Sequence, residues 1–155
     1  MLQDLAQRRP DILVHLGDIY YAGTPSECDR NFAQPVAAAF GARRPLVYTL
    51  SGNHDMYSGG AGYYGLIAGL NQGAWRQRAS YFCLRSQDRR WQFVAMDTGL
   101  HAYNPFEPHP LTSLDPAEVD WIEARIGPGG PDPWNANLLK SFRRFAAAGR
   151  IAAWF

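Results

Sequence analysis

The strongest constraint on this chain is a pair of short apolar runs, Asp11 to Leu16 and Leu46 to Leu50, each of which stops abruptly at glycine and polar residues. The first opens into Gly17-Asp18-Ile19-Tyr20-Tyr21 and the second into Ser51-Gly52-Asn53-His54-Asp55. Runs of this length, rich in Ile, Leu and Val and separated by a stretch of helical pattern, mark parallel strands of an open α/β sheet. Ligands bind beyond the carboxyl ends of such strands. The pattern therefore predicts that Asp18, Tyr21, Asn53, His54 and Asp55 converge on one site. Asp18 and Asn53 lie about 35 positions apart, the length of one strand-helix-strand unit.

A carboxylate, a phenol and a carboxamide are hard oxygen donors, suited to ferric iron, manganese or magnesium rather than to a thiol-seeking metal. The order GDxxY (Gly17, Asp18, Tyr21) and then GNHD (Gly52 to Asp55) resembles the calcineurin-like metallophosphoesterases. The tyrosine makes the motif most similar to the purple acid phosphatase branch, especially its small tartrate-resistant type. The resemblance implies metal-dependent hydrolysis of phosphate esters at a dinuclear centre, iron with iron, zinc or manganese. By position, it implies that Asp18 bridges the two ions, Tyr21 is the phenolate on the ferric ion, and Asn53 offers its amide oxygen to the second. It makes His54 the residue that contacts phosphate and protonates the leaving group, with Asp55 beside it as a catalytic residue. Two ions roughly 3.5–4 Å apart polarise phosphoryl oxygens and activate water near neutral pH, and an imidazole can donate a proton to the departing oxygen.

Along the chain, Met1 to Arg9 reads as helix, with Leu2, Leu5 and Ala6 at helical spacing and Pro10 ending it. His15, inside the first strand, reads as a packed core side chain. Thr24-Pro25-Ser26 starts a second helix that runs to Phe40, burying Phe32, Val36 and Phe40 and kinked at Pro35. Gly59 to Gly69 reads as a glycine-rich loop among Tyr57, Tyr63 and Tyr64, either lining a substrate or packing around the tyrosines. Ser80 to Arg85 and Trp91 to Asp97 form an antiparallel hairpin. His101 and His109 lie in a proline-bearing loop without metal-pair spacing and read as surface histidines, substrate contact by His101 being the lesser reading. Asp115-Pro116-Ala117-Glu118 reads as a capping box that opens a helix burying Val119, Ile122 and Ile126. A bare Gly/Pro loop, a helix from Asn137 to Ala148 and a strand from Ile151 to Phe155 follow.

The expected fold is α/β, a partial four-layer αββα metallophosphoesterase sandwich forming one domain over residues 1–155. The family pattern also implies an Asp-bearing strand before the first motif, a strand ending in histidine after the Asp115 helix, and a final Gly-His-x-His. None occurs between Met1 and Phe155. Two accounts divide here. In one the chain is an enzyme, or an incomplete one, whose remaining ligands lie elsewhere and whose activity alone is weak. In the other it is a non-catalytic module that keeps the fold for binding. The enzymatic account is preferred because all five motif residues are present together. A nucleotide-binding domain is disfavoured, because no glycine-rich phosphate loop follows the first strand.

Charge excludes some partners. Fifteen basic against 14 acidic residues give a net charge of +1 with the arginine pairs scattered, so neither nucleic acid nor a membrane surface is expected. No apolar run approaches the roughly 18 residues of a membrane span, and the N-terminus lacks the apolar stretch of a secretory signal. Localisation is not indicated. Cys28 and Cys83 have no metal-type spacing and read as unpaired thiols.

Overall fold

The two apolar runs become directly paired parallel strands, β1 (Ile12–His15) and β2 (Leu46–Thr49), with Ile12 opposite Leu46 and His15 opposite Thr49. They are neighbours with no strand between them, which sets the loops after Leu16 and Leu50 side by side. The computed structural model describes residues 1–101, 113–131, 133–134, 136–137, 139–140 and 143.

The connection between these strands is helical, as the 3.6-residue pattern requires. Thr24 caps α2 (Pro25–Cys28): its hydroxyl accepts the Glu27 N–H and the Glu27 carboxylate accepts the Thr24 N–H at 3.0 Å. The helix then widens into a π turn over Asp29–Ala33, closed by the Gln34 N–H on the Asp29 carbonyl, before α3 (Gln34–Phe40). Pro35 has no N–H to return to the preceding turn, so the expected kink takes the form of a π-bulge just ahead of it. Phe32, Val36 and Phe40 are buried together with Val47 and Leu70. Each such side chain contributes about 1.5–3 kcal/mol on leaving water.

The glycine-rich stretch is not a loop. Asn53–Met56 forms the short helix α4, and Ala61–Leu70 forms α5, with Tyr63 and Ile67 buried along it. Glycine at position 62 is a packing requirement, since a Cβ there would lie 2.2 Å from the Gly23 carbonyl oxygen. The hairpin is β3 (Phe82–Arg85) against β4 (Gln92–Ala95), antiparallel, and α6 (Pro116–Ile126) follows Asp115, whose carboxylate accepts the Ala117 N–H at 2.8 Å. Glu118 does not complete the expected capping box. Its carboxyl group is buried and accepts a bond from Asp97 instead. The expected helix from Asn137 lies for the greater part, and the strand from Ile151 wholly, outside the described residues.

The alternation of side chains along each strand sorts these elements into four layers. Leu13 and Val47 face the helices, packing with α3, α5 and Leu2, Leu5 and Ala6 of α1 (Leu2–Gln7). Leu46, Tyr48 and Leu50 face the other way, against Phe82, Leu84 and Ala95 of the hairpin, the Tyr48 and Phe82 rings lying 5.1 Å apart. Val94 and Met96 then turn from the hairpin onto Ile122 and Ile126 of α6. The fold is α/β, with the order helix, sheet, sheet, helix. Among the described residues no helix is long and apolar enough to cross a membrane.

The two edges of the parallel pair are treated differently. The N–H of Val47 donates to Asn71 Oδ1 (2.9 Å) and its carbonyl accepts from Asn71 Nδ2 (2.8 Å), while Gln77 does the same for Thr49 (3.0 and 2.8 Å). Two carboxamides thus stand in for a neighbouring strand. Among the described residues the β1 edge has no such cover, and Ile12, Val14 and Leu16 are exposed there. Asn71→Ala leaves a buried N–H and C=O of Val47 without partners, an expected loss of about 1–3 kcal/mol in urea unfolding. A loss below about 0.5 kcal/mol, the ordinary scale of a surface change, would show that water replaces the amide.

Candidate functional site

Both strands end in loops that interlock at backbone distance. Gly17 (φ +87°) and Asp18 (φ +58°) turn left-handed directly after β1, a conformation that costs a non-glycine residue about 1–2 kcal/mol. The turn lays the Asp18 carboxylate against Gly52. A Cβ at Gly52 would lie 2.1 Å from Asp18 Oδ1, and one at Gly17 would lie 2.5 Å from the Gly52 nitrogen. The two glycines of the motifs are therefore where the loops touch.

Asp55 fastens this contact. It is fully buried, and its Oδ2 accepts the Gly52 N–H (2.8 Å) and the Asp18 N–H (3.2 Å) while its Oδ1 accepts the Tyr20 hydroxyl. Burial and the Asp55 charge hold the Tyr20 phenol well above the usual tyrosine range, so it stays a proton donor to that carboxylate. Cys28 beside it is raised by burial and stays a thiol. Asp55 was expected next to His54 as a catalytic group. Its carboxylate faces the protein interior, engaged with both loops and closed to solvent.

The residues left facing outward are Asp18, Asn53, His54 and Tyr21. Asp18 Oδ1 accepts the His54 N–H at 3.0 Å, which puts its carboxylate alongside the Gly52-Asn53-His54 backbone. Partial burial raises the Asp18 pKa, the His54 N–H opposes that rise, and the charge on Asp55 adds to it. Asn53 gives its amide N–H to the Tyr57 hydroxyl, which leaves the carbonyl oxygen as its outward donor. His54 Nδ1 donates to the Tyr21 carbonyl oxygen, so Nε2 is the nitrogen free to act, and the ring is flanked by Tyr57 (4.7 Å) and Tyr21 (5.8 Å). Tyr21 itself is 78% exposed.

The remaining histidines stand apart. His15 packs on Phe32 (4.5 Å) and shares its Nδ1 with the Thr49 hydroxyl (2.9 Å), and burial lowers its pKa. His101 Nε2 lies 3.6 Å from Asp115 Oδ2 at the start of α6. His109 lies outside the described residues. Tyr20 and Tyr57 are contributors that the motif reading passed over. The signal for Tyr20 was the carboxylate at position 55, which needs donors once buried; Tyr57, four residues after Asn53 on a helical turn, was within reach of the i, i+4 rule.

A model of the calcineurin-like phosphoesterase family matches residues 1–145, and the chain belongs to that family. No curated protein and no solved structure matches it significantly. Membership makes the chain a hydrolase-family domain, of a family whose general chemistry is metal-dependent phosphoester hydrolysis at a dinuclear centre. The donor set agrees with that chemistry in part. The Asp18 carboxylate and the Asn53 carbonyl are hard oxygens along one short stretch of backbone, but among the described residues no three His, Cys, Asp or Glu side chains group as a metal ion would need.

Tyr20→Phe removes one donor from a buried carboxylate, for an expected loss of about 1.5–3 kcal/mol in urea unfolding; an unchanged midpoint would mean Asp55 does not depend on that bond. Gly52→Ala must displace the Asp18 carboxylate or the loop carrying it, at about 1–3 kcal/mol. A fully stable Gly52→Ala protein would show that the loops are further apart than described.

Proposed function

We propose that the chain acts in metal-dependent hydrolysis of phosphate esters, in the manner of the purple acid phosphatase branch, with Asp18, Asn53 and Tyr21 as metal ligands and His54 at the phosphate. The observation that carries this reading is the bond from the His54 N–H to Asp18 Oδ1, which joins the ends of two strands into one edge of acidic, amide and imidazole groups. Metal ions bound there would neutralise charge on the phosphoryl oxygens and activate water. The protein's own part is orientation. The Tyr21 carbonyl holds the Nδ1 proton of His54, so Nε2 is the position from which a proton passes to the leaving oxygen. Tyr57 holds the Asn53 amide with its oxygen outward. Asp55 serves as a positioning residue beneath them.

Asp18, Asn53 and Tyr21 are fewer donors than two ions require, so this chain alone is expected to bind one ion weakly and to hydrolyse esters slowly. Calorimetric titration with manganese tests the ligand assignment. Asp18→Ala and Asn53→Ala should each weaken binding on the order of tenfold or more, and unchanged affinity would contradict it. With ferric iron, Tyr21→Phe should lose the charge-transfer colour and keep some hydrolysis of a chromogenic phosphate ester. Colour that persists in Tyr21→Phe would place the phenolate elsewhere. Rapid turnover abolished by His54→Ala would show that further ligands complete the site.

A further inference from the structure

Behind the Gly52 loop lies a second buried polar group that the proposed chemistry does not use. Asp97, two residues beyond β4, is fully buried, and its Oδ1 accepts the Ser51 hydroxyl, the Gly99 N–H (2.9 Å) and the Leu100 N–H (2.9 Å). Ser51 immediately precedes Gly52. The turn at Asp97 presses on the same loop, since a Cβ at Gly99 would fall 2.5 Å from the Gly52 carbonyl oxygen. On its other side the Asp97 N–H donates to Glu118 Oε1 at 2.7 Å, and Glu118, in the first turn of α6, is also fully buried. A continuous line of buried contacts therefore runs from α6 through Glu118, Asp97 and Ser51 to Gly52, and every link is a hydrogen bond or a backbone contact.

The line carries two carboxyl groups whose second oxygens, Asp97 Oδ2 and Glu118 Oε2, are buried without a partner. Among the described residues no basic side chain meets either. The groups around Glu118 that carry or can carry charge are Asp97 at the end of β4, Asp115 at the cap of α6, which is paired with His101, and Tyr64 on α5. Two adjacent anions in such surroundings are costly, and one proton relieves the cost. In keeping with that geometry, burial first and the charges of Asp97 and Asp115 next push Glu118 up to about 8, with only the Asp97 N–H acting against them. Because the folded chain holds this proton where the unfolded chain has lost it, the stability Glu118 contributes is full below the ordinary Glu range and is lost as pH rises to about 8.

We propose that Glu118 and Asp97 are positioning residues which hold the Gly52–Asp55 loop from behind, that Glu118 does so as a neutral acid, and that its ionisation loosens the loop through Asp97 and Ser51. The inference rests on the reading of that loop as the functional one, yet its test does not depend on hydrolysis or on a bound metal. Nitrogen-15 NMR of the metal-free chain between pH 6 and 9 follows the relevant amides directly. In the wild type the Gly52, Asn53, Gly99 and Leu100 signals should shift together with a midpoint near pH 8. Glu118→Gln keeps an oxygen for the Asp97 N–H and cannot ionise, so the step should vanish. In Ser51→Ala the step should persist at Gly99 and Leu100 and disappear at Gly52 and Asn53. Wild-type Gly52 and Asn53 signals that stay fixed through this range, or the same step in Glu118→Gln, would overturn the proposal. Manganese affinity left unchanged by Asp18→Ala and Asn53→Ala, with the NMR step intact, would fault the metal assignment alone.

Discussion

One buried carboxylate holds the outward-facing groups in place. Asp55 sits at zero exposure between the two strand-end loops, and an ionised carboxyl taken out of water without donors would be costly enough to unfold the region. It has three donors, the amides of Asp18 and Gly52 and the Tyr20 hydroxyl, and hydrogen bonds to a charged acceptor contribute about 1.5–3 kcal/mol each. Those bonds also hold Asp18 in its left-handed conformation against a strain of about 1–2 kcal/mol. The carboxylate of Asp18, the amide of Asn53 and the imidazole of His54 can face outward together because Asp55 faces inward.

The sandwich supplies the frame on which this clamp works. Parallel pairing of β1 with β2 brings both loops to the same end of the sheet, and the helices on one face and the hairpin on the other fix the strands by burial. On the β2 side, the amides of Asn71 and Gln77 close the edge and fix Val47 and Thr49. Asp97, just past the hairpin, then reaches the same loop through the Ser51 hydroxyl, and Glu118 of α6 accepts the Asp97 N–H from the far layer.

Much of this was legible in the sequence because the signals were local. The Ile, Leu and Val runs, Thr24-Pro25 and Asp115-Pro116 each carry their own physical cause, and each forms the element it announces. What was illegible depends on tertiary neighbours. Ala61 to Leu70 carries so many glycines that its apolar spacing does not read as a helix, and the reason for Gly62 is a contact with Gly23 far back in the chain. Glu118 satisfies the capping-box pattern, but Asp97 competes for it and burial decides the outcome. Asp55 reads as a site residue from the GNHD motif alone. Only the structure shows that it faces the interior, where Tyr20 meets it.

The central claim, that Asp55 binds the two loops into one unit, is open to hydrogen exchange at single amides. The Asp18 and Gly52 N–H groups donate to the same oxygen, so they should be protected together in the wild type. In Asp55→Asn, where the charge is gone and one acceptor is lost, both should exchange faster by on the order of tenfold or more, while the Val47 and Thr49 amides, held by Asn71 and Gln77, keep their protection. Fast exchange of Asp18 or Gly52 in the wild type, or unaltered protection of both in Asp55→Asn, would contradict the account.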